Sequence, residues 1–543
     1  MGRRLIAICK IFSSLVRSIV SISILLAGFA RADALQDEIA REIAAIEAGE
    51  MKVIGGVRLT SLDFVSELYS LRDHMPLWSN ALHSEDLVRE LLGARRHGFQ
   101  QRDFSISSLL ELRRLANEGP AAAQARFDIA ATEVAARLLH HVYLGKVDPL
   151  SLDPTWSFGR AFVPANAAAM VNEYLEVASF GALVDDIEIN HPAYLALQEA
   201  LDLYLSIEAR GGWPAVPEGK TLRYGDKDER IAILRKRLAA TGDYTSVPSE
   251  MQVFDDELLA SVQAFQARHG LEVDGVVGPK TFRALNQTVM ERIDQLRASL
   301  ERARWLFRDL GNDYVFVNIG GPEAQFVQNG KTVWKARAIV GQAFRQTPVF
   351  RDEIEYMEFN PTWTVPRSIF LKDKLPLIRR DPGYLARGGF TVLDAKGRPI
   401  SPNFVDWAGT PNITLRQRPG PKNALGQVKF MFPNAHSVYL HDTDDRSLFD
   451  RAERNLSSGC VRIEKPFELA DLLMKDDPDW SATRRAAILA IGSTTRVRLP
   501  KPVPILLTYF TAWMDEERVV QFREDLYGRD ARILAALDAE FRG

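Results

Sequence analysis

The sequence predicts a multidomain α+β protein: a helical scaffold, a small three-helix unit set into it, and a mainly-β domain with a capping subdomain. Three observations lead there. The chain has 543 residues, more than one hydrophobic core serves, so several domains are expected. Ala- and Leu-rich helical spacing recurs from residue 33 to about residue 210, as in Ala121 to Leu139. From about residue 312 the texture changes to β-branched and aromatic runs such as Tyr314-Val315-Phe316-Val317-Asn318-Ile319.

At the N-terminus, Arg3, Arg4, Lys10 and Arg17 precede the apolar stretch Ile19 to Ala30, and Ala30-Arg31-Ala32 offers small residues where a signal peptidase reads. Residues 1–32 therefore read as a cleaved secretion signal, too short to span a bilayer comfortably; uncleaved, it would be a membrane anchor. The mature chain is expected outside the cytoplasm. Residues 33–225 form the scaffold. His140-His141 lies there, but adjacent helical positions diverge by about 100° and no HExxH spacing surrounds them, so they read as structural. Gly211-Gly212-Trp213-Pro214 and Pro217-Glu218-Gly219 mark a linker. In the unit at 226–287, Leu258, Val262 and Phe265 share a helix face, Gly270 ends that helix, Asp274-Gly275 turns, and Pro279 opens the next helix. Residues 288–311 hold one long amphipathic helix, with Val289, Ile293, Leu296, Leu300 and Ala303 in register, expected to rejoin the scaffold. The β domain spans 312–505, with a hairpin at Asn329-Gly330. A Pro-, Gly- and Arg-rich stretch at 367–426 interrupts its strands as the capping subdomain. Residues 506–543 form a C-terminal segment.

Sixty-eight basic residues against 71 acidic ones give a net charge of −3, which argues against a nucleic-acid binder. Of two cysteines, Cys9 lies in the signal, so the mature chain keeps only Cys460. A lone thiol in an exported chain closes no internal disulfide, and its retention asks for a chemical reason. A nucleophilic cysteine needs a neighbouring base, because an ordinary thiol is only a few per cent ionised at neutral pH. His441, ending a probable strand at Val438-Tyr439-Leu440, is the candidate, and His436 is its rival. Activity is then expected to fall in acid as His441 protonates. Gly459 lets backbone approach a substrate, and the amides around Gly459 and Cys460 are candidate oxyanion donors. Arg462 and Arg454 add positive potential, or pair with Asp444, Asp445, Asp450 or Glu453. Taken alone, Ser458-Gly459-Cys460 reads first as a small buried cysteine at a tight turn, and only the surrounding residues reverse this. Scattered histidines and a single mature cysteine suggest neither metal nor cofactor.

Tyr439-Leu440-His441-Asp442-Thr443, Phe449, Arg454 and Ser457-Ser458-Gly459-Cys460-Val461-Arg462 together resemble the active-site motif of the L,D-transpeptidases. Gln346-Thr347-Pro348, the run Asn360 to Ser368, Pro419 to Gly426 and Tyr509 to Trp513 extend the likeness to the branch with a large helical scaffold. Ser458 stands where the commonest pattern has His, as is usual in that branch. Val262 to Leu271, Asp274 to Gly278 and Thr281 to Leu285 look like the common peptidoglycan-binding domain, which this branch carries as an insertion; its matching positions include Phe265, Gln266, His269, Gly270, Asp274, Gly275 and Gly278. The resemblance implies that Cys460 is the nucleophile and His441 the proton acceptor and donor. It implies that the Asp442 carbonyl orients the imidazole, with Gly459 and Ser458 as oxyanion or orienting elements. Tyr439, Arg462 and Arg454 would bind substrate. It further implies peptidoglycan stem peptides and glycan as partners, carbapenem-type β-lactams as inhibitors, a periplasmic or cell-envelope location, and 3→3 cross-links made through a thioester. Other acceptors would instead give a carboxypeptidase, a D-amino acid exchange enzyme or a lipoprotein-attaching enzyme. A non-catalytic wall-binding protein is the alternative from another class. Papain-like hydrolases are disfavoured because they place the cysteine before the histidine.

Overall fold

The computed structural model describes residues 33–541 except 154, 155, 157, 159–162 and 309. The expected signal at 1–32 lies outside the described residues. The rest bears out a multidomain α+β architecture. A helix at 33–47 packs with helices Leu62–Leu71, Ala81–Leu92, Ala121–Leu144 and Phe180–Ile187 around Ile39, Val65, Leu87, Ile129, Leu138 and Leu183. Ala121–Leu144 is alanine-rich and buried on nearly every side, since small side chains let its neighbours close in. Its polar residues are paired. Glu133 takes Thr60 Oγ1 at 2.6 Å, the Ser61 amide at 2.9 Å and Arg137 at 2.9 Å, while Asp128 caps the amides of Leu77 and Trp78 at 2.9 Å each. His141 is buried here, its pKa driven well below normal by desolvation, and among the described residues no group of side chains is arranged to hold a metal.

The small unit has its own core. Helices Arg230–Ala239, Asp256–Arg268 and Pro279–Asn286 enclose Leu234, Phe254, Leu258, Val262, Phe265 and Leu285. The motif residues build this core and its turns. Gln266 is the hub: its Nε2 donates to Asp274 Oδ1 at 2.9 Å and Val276 O at 3.0 Å, and its Oε1 accepts the Gly275 amide at 2.8 Å. Gly278 precedes Pro279 at the head of the third helix. His269 stacks on Phe265, with ring centroids 3.8 Å apart, and bonds its carbonyl. The unit is docked rather than loosely tethered. Arg523 donates to Arg268 O at 2.9 Å, and a Cβ on Gly270 (φ +64°) would lie 2.5 Å from the Arg523 side chain.

The central helix, Val289–Phe307, starts at a capping box in which Thr288 and Glu291 exchange hydrogen bonds. It does return to the scaffold, but the expected single apolar face is a partial account. From Arg292 onward it is buried almost all round. Three of its buried arginines have carboxylate partners: Arg297 with Asp538 at 2.7 Å, Arg302 with Asp530 at 2.5 Å, and Arg304 with Glu301 at 3.0 Å. Leu296 and Leu300 share one cluster with Tyr194, Leu197 and Leu201 of helix Pro192–Ala209 and with the interior of the β domain.

The β domain holds nine strands, β1 (Tyr314–Asn318), β2 (Glu323–Gln328), β3 (Lys331–Gly341), β4 (Phe350–Phe359), β5 (Val428–Met431), β6 (Leu440–His441), β7 (Asn455–Ser457), β8 (Val461–Ile463) and β9 (Thr495–Thr508). Their order is β7-β3-β8-β6-β5-β4-β9-β1-β2. Since β2 also pairs with β3, the order closes on itself and leaves no long edge. Asn329 and Gly330, both at positive φ, turn β2 into β3 as the sequence suggests. The boundary expected at 505 falls inside β9, which runs on to Thr508. Beyond it, hairpin Ala512–Met514/Val520–Phe522 and helix Arg529–Asp538 return to the central helix. The capping region is more regular than its composition suggests: strands Trp363–Thr364, Thr414–Gln417, Phe390–Leu393 and Pro399–Ile400 pair in that order over Phe370, Leu375 and Leu415.

Phe265→Ala is expected to cost about 3–5 kcal/mol, since it opens the sealed centre of the small unit. Denaturant unfolding checks this, and a loss under about 1 kcal/mol would contradict the packing described.

Candidate active site

The strand pair β6–β8 builds the site. It is parallel, with Leu440 opposite Val461 and His441 opposite Arg462. Leu440 and Val461 point into the core and are fully buried. Side chains alternate across a strand, so Tyr439, His441, Cys460 and Arg462 share the other face. The ladder reaches back one step, as the Val461 amide donates to Tyr439 O at 3.2 Å. Cys460 and His441 therefore stand on a diagonal, with backbones roughly 7–8 Å apart in ordinary sheet geometry. Cys460 is half-buried and His441 buried.

Among the described residues no hydrogen bond joins the thiol to the imidazole. Sγ points to Ser437 O at 3.9 Å. The backbone and hydroxyl of Tyr439 both lie where they favour the ionised sulfur. Sequence reasoning cast Tyr439 as a pocket wall; the fold makes it the donor that serves the sulfur. Burial pushes the Cys460 pKa up, against the pull of the Tyr439 donors, Lys429 and Arg462. Lys429 was not anticipated. It sits on β5 opposite His441, with its ammonium 4.2 Å from the Tyr439 ring centroid.

His441 Nδ1 donates to the Asp442 carbonyl at 2.5 Å, which leaves Nε2 as the lone-pair nitrogen. Burial, reinforced by the positive charge of Arg462, lowers the His441 pKa to about 3. Desolvation thus favours the neutral form of both thiol and imidazole, which leaves Nε2 unprotonated but a weak base in the resting site. The Asp442 carboxylate is occupied elsewhere, by the Gln427 amide at 3.0 Å and Arg446 at 3.3 Å. His436 is exposed and packs against Phe350.

The loop before Cys460 is held by residues remote in sequence. Gly459 has φ +122°, a conformation that favours glycine. Its amide donates to Ser457 Oγ at 3.1 Å, and Ser457 Oγ donates to Cys460 O at 2.6 Å. The Gly459 amide is thus already engaged, which corrects its expected place as an oxyanion donor; the Cys460 amide has no partner among the described residues. Thr347 Oγ1 donates to Gly459 O and accepts the Gly341 amide, both at 2.9 Å. Tyr527 donates to Gly341 O at 2.5 Å. Ser458 Oγ accepts from Arg345 at 2.9 Å.

The two arginines differ. Arg462 lies beside the thiol and imidazole, its pKa lowered by burial against the pull of Asp444 and Cys460. Arg454 donates to three main-chain carbonyls, Ala338 O, Arg451 O and Pro322 O, at 3.0–3.2 Å. It pins strands together, which corrects both its expected substrate contact and its expected carboxylate partner.

Residues 312–489 match the family model of the L,D-transpeptidase catalytic domain, residues 63–201 that of a scaffold domain, and residues 227–285 that of a putative peptidoglycan binding domain. A putative L,D-transpeptidase of Haemophilus influenzae is 37% identical over 222 residues, 40% of this chain and 45% of that protein. The N-acetylmuramoyl-L-alanine amidase CwlM of Mycobacterium tuberculosis is 37% identical over 82 residues, 14% of this chain and 20% of its own. The chain therefore spans less than half the length of either relative. Among solved structures, an L,D-transpeptidase of Stackebrandtia nassauensis is aligned over 54% of this chain and 96% of its own at 14% identity, with a TM-score of 0.21.

Tyr439→Phe removes one donor to the sulfur and Lys429→Met one nearby cation. Each is expected to raise the pH midpoint of Cys460 alkylation by iodoacetamide, and a midpoint unchanged in both variants would contradict the electrostatics described.

Proposed function

We propose that this chain, which belongs to the L,D-transpeptidase family through its catalytic domain at residues 312–489, is an exported cysteine transpeptidase that cross-links peptidoglycan in the cell envelope. One observation carries the reading: a half-exposed thiol shares a sheet face with an imidazole whose Nδ1 is fixed on a carbonyl, so that Nε2 is the free base. The donor is a tetrapeptide stem. Nε2 takes the Cys460 proton as Sγ attacks the carbonyl of the third residue. The C–N bond to the terminal D-alanine breaks, the imidazolium returns the proton to the leaving amine, and a thioester remains. A side-chain amine of a second stem attacks the thioester and loses a proton to the imidazole. The thiol leaves with that proton, and a 3→3 peptide bond has formed. Contacts between a nucleophile and its base commonly tighten only in the substrate complex.

Arg462 and Lys429 supply positive potential for the carboxylates of such stems and for the developing thiolate. The small domain, whose family is putative peptidoglycan binding, holds glycan near the site and raises its local concentration. Carbapenem-type β-lactams acylate the same sulfur, since a strained amide presents the same electrophile.

Intact mass spectrometry after incubation with a defined tetrapeptide is expected to show an acyl group on Cys460; an unmodified protein that nonetheless turns over substrate would contradict the thioester. Cys460→Ser is expected to lose nearly all turnover, because an alcohol is far harder to ionise beside the same base.

The pH profile follows from the imidazole. A base works when unprotonated, and His441 has its pKa lowered to about 3 rather than an ordinary ~6.5. The acid limb of kcat/KM is therefore expected below about pH 5, lower than the sequence alone suggests. A limb near the ordinary histidine value would contradict the lowered His441 pKa.

A further inference from the structure

Arg345 joins two parts of the molecule that the sequence keeps far apart. It sits in the loop between β3 and β4, and its guanidinium forms a two-pronged pair with Asp373, Nη1 to Oδ2 at 2.6 Å and Nη2 to Oδ1 at 3.0 Å. The same Nη1 donates to Ser458 Oγ at 2.9 Å, two residues before Cys460. Asp373 belongs to the capping subdomain, within the wide helical turn Phe370–Lys374, a rare geometry often found at functional positions. The pairing lowers the Asp373 pKa and raises that of Arg345. Arg345 is mostly covered, and its fork geometry resists slippage better than a single contact would. A second contact lies on the other side of the sulfur. Tyr439, which donates to Sγ, packs into the capping cluster as well as the main core.

We infer that Arg345 and Asp373 are positioning residues that clamp the capping subdomain onto the nucleophile loop and set the fate of the thioester, favouring an amine acceptor over water. This rests on the thioester reading above. A thioester reacts with either nucleophile, and water is the more abundant by far. Transfer therefore requires a surface that covers the acyl group while it waits for the acceptor. The capping subdomain is the element placed to cover it, and the Arg345–Asp373 pair is a direct charged link from that subdomain to the residues flanking the sulfur. Asp373→Asn loses the charge but keeps the shape, and it leaves Arg345 bonded to Ser458. The clamp loosens while the nucleophile loop stays in place.

The test measures two quantities on the full-length chain with a tetrapeptide donor and an amine acceptor: the rate of thioester formation by intact mass, and the ratio of shortened to cross-linked products. In Asp373→Asn thioester formation is expected to stay within about twofold of the parent while the hydrolysed share rises about three- to tenfold, the range open to a partly covered ion pair. Asp373→Glu, which keeps the charge, is expected to restore most of the parent ratio. An unchanged ratio in Asp373→Asn overturns the inference. So does a fall in thioester formation that accounts for the whole loss, since the pair would then act on the nucleophile and not on the acceptor. Absence of any thioester in the parent chain would instead overturn the proposed reaction, a distinct failure. Equal melting temperatures for the three proteins establish that the comparison is between folded states.

Discussion

Everything at the site depends on the register of one short parallel ladder. β6 and β8 match over only two residue pairs, Leu440 with Val461 and His441 with Arg462. A slip of β6 by one residue would turn Tyr439 and His441 inward, away from the face that carries Cys460, and bring Leu440 to the surface. The buried pair prevents this, because Leu440 and Val461 are fully enclosed in the largest core cluster and would have to be exposed together. Hydrophobic burial in the barrel thus sets the geometry of a thiol and an imidazole on its opposite face.

That geometry puts ionisable groups where water is scarce, and the electrostatics follow. Desolvation favours the neutral form of both Cys460 and His441, so it opposes a resting thiolate–imidazolium pair. Lys429 and Arg462 work in the other direction on the sulfur alone. The same two cations push the imidazole further from protonation. Burial therefore favours the proton on sulfur, with positive charge standing beside it, where the proposed reaction would develop negative charge. This preorganisation belongs to the sheet: Lys429 and Arg462 both lie opposite His441, one on each neighbouring strand.

The sequence made the centre legible and its support illegible, for a physical reason. Cys460 and His441 follow from local motifs, and the Asp442 carbonyl from the family resemblance those motifs carry. Thr347 and Arg345 reach the loop before Cys460 from 112 and 113 residues away, and Tyr527 holds Gly341, which braces Thr347, from 186 residues away. No spacing rule connects them, because they meet only once the sheet has closed. Proximity in sequence also misled. Arg454 lies six positions before Cys460 yet turns to the carbonyls of Ala338, on neighbouring β3, and Pro322, just before β2. The central helix was read by its apolar stripe, and its buried arginines were hidden because their partners, Asp530 and Asp538, come from the end of the chain.

The small domain carries this argument from the site to the whole molecule. Its recognisable residues, Phe265, Gln266, His269 and Asp274, are consumed by packing and turns, so the motif that identifies it describes how it folds and not what it touches. Its placement is more informative. The C-terminal segment grips it through Arg523 and Phe522, and Lys280 pairs with Glu453, two residues before the strand that leads to Cys460. A binding module on a slack linker raises local concentration without fixing direction. One docked at these points has a set orientation, so any polymer it holds would enter the catalytic face along a defined line. In the proposed reaction this converts avidity into alignment, which an acyl transfer between two strands of the same polymer needs more than it needs affinity.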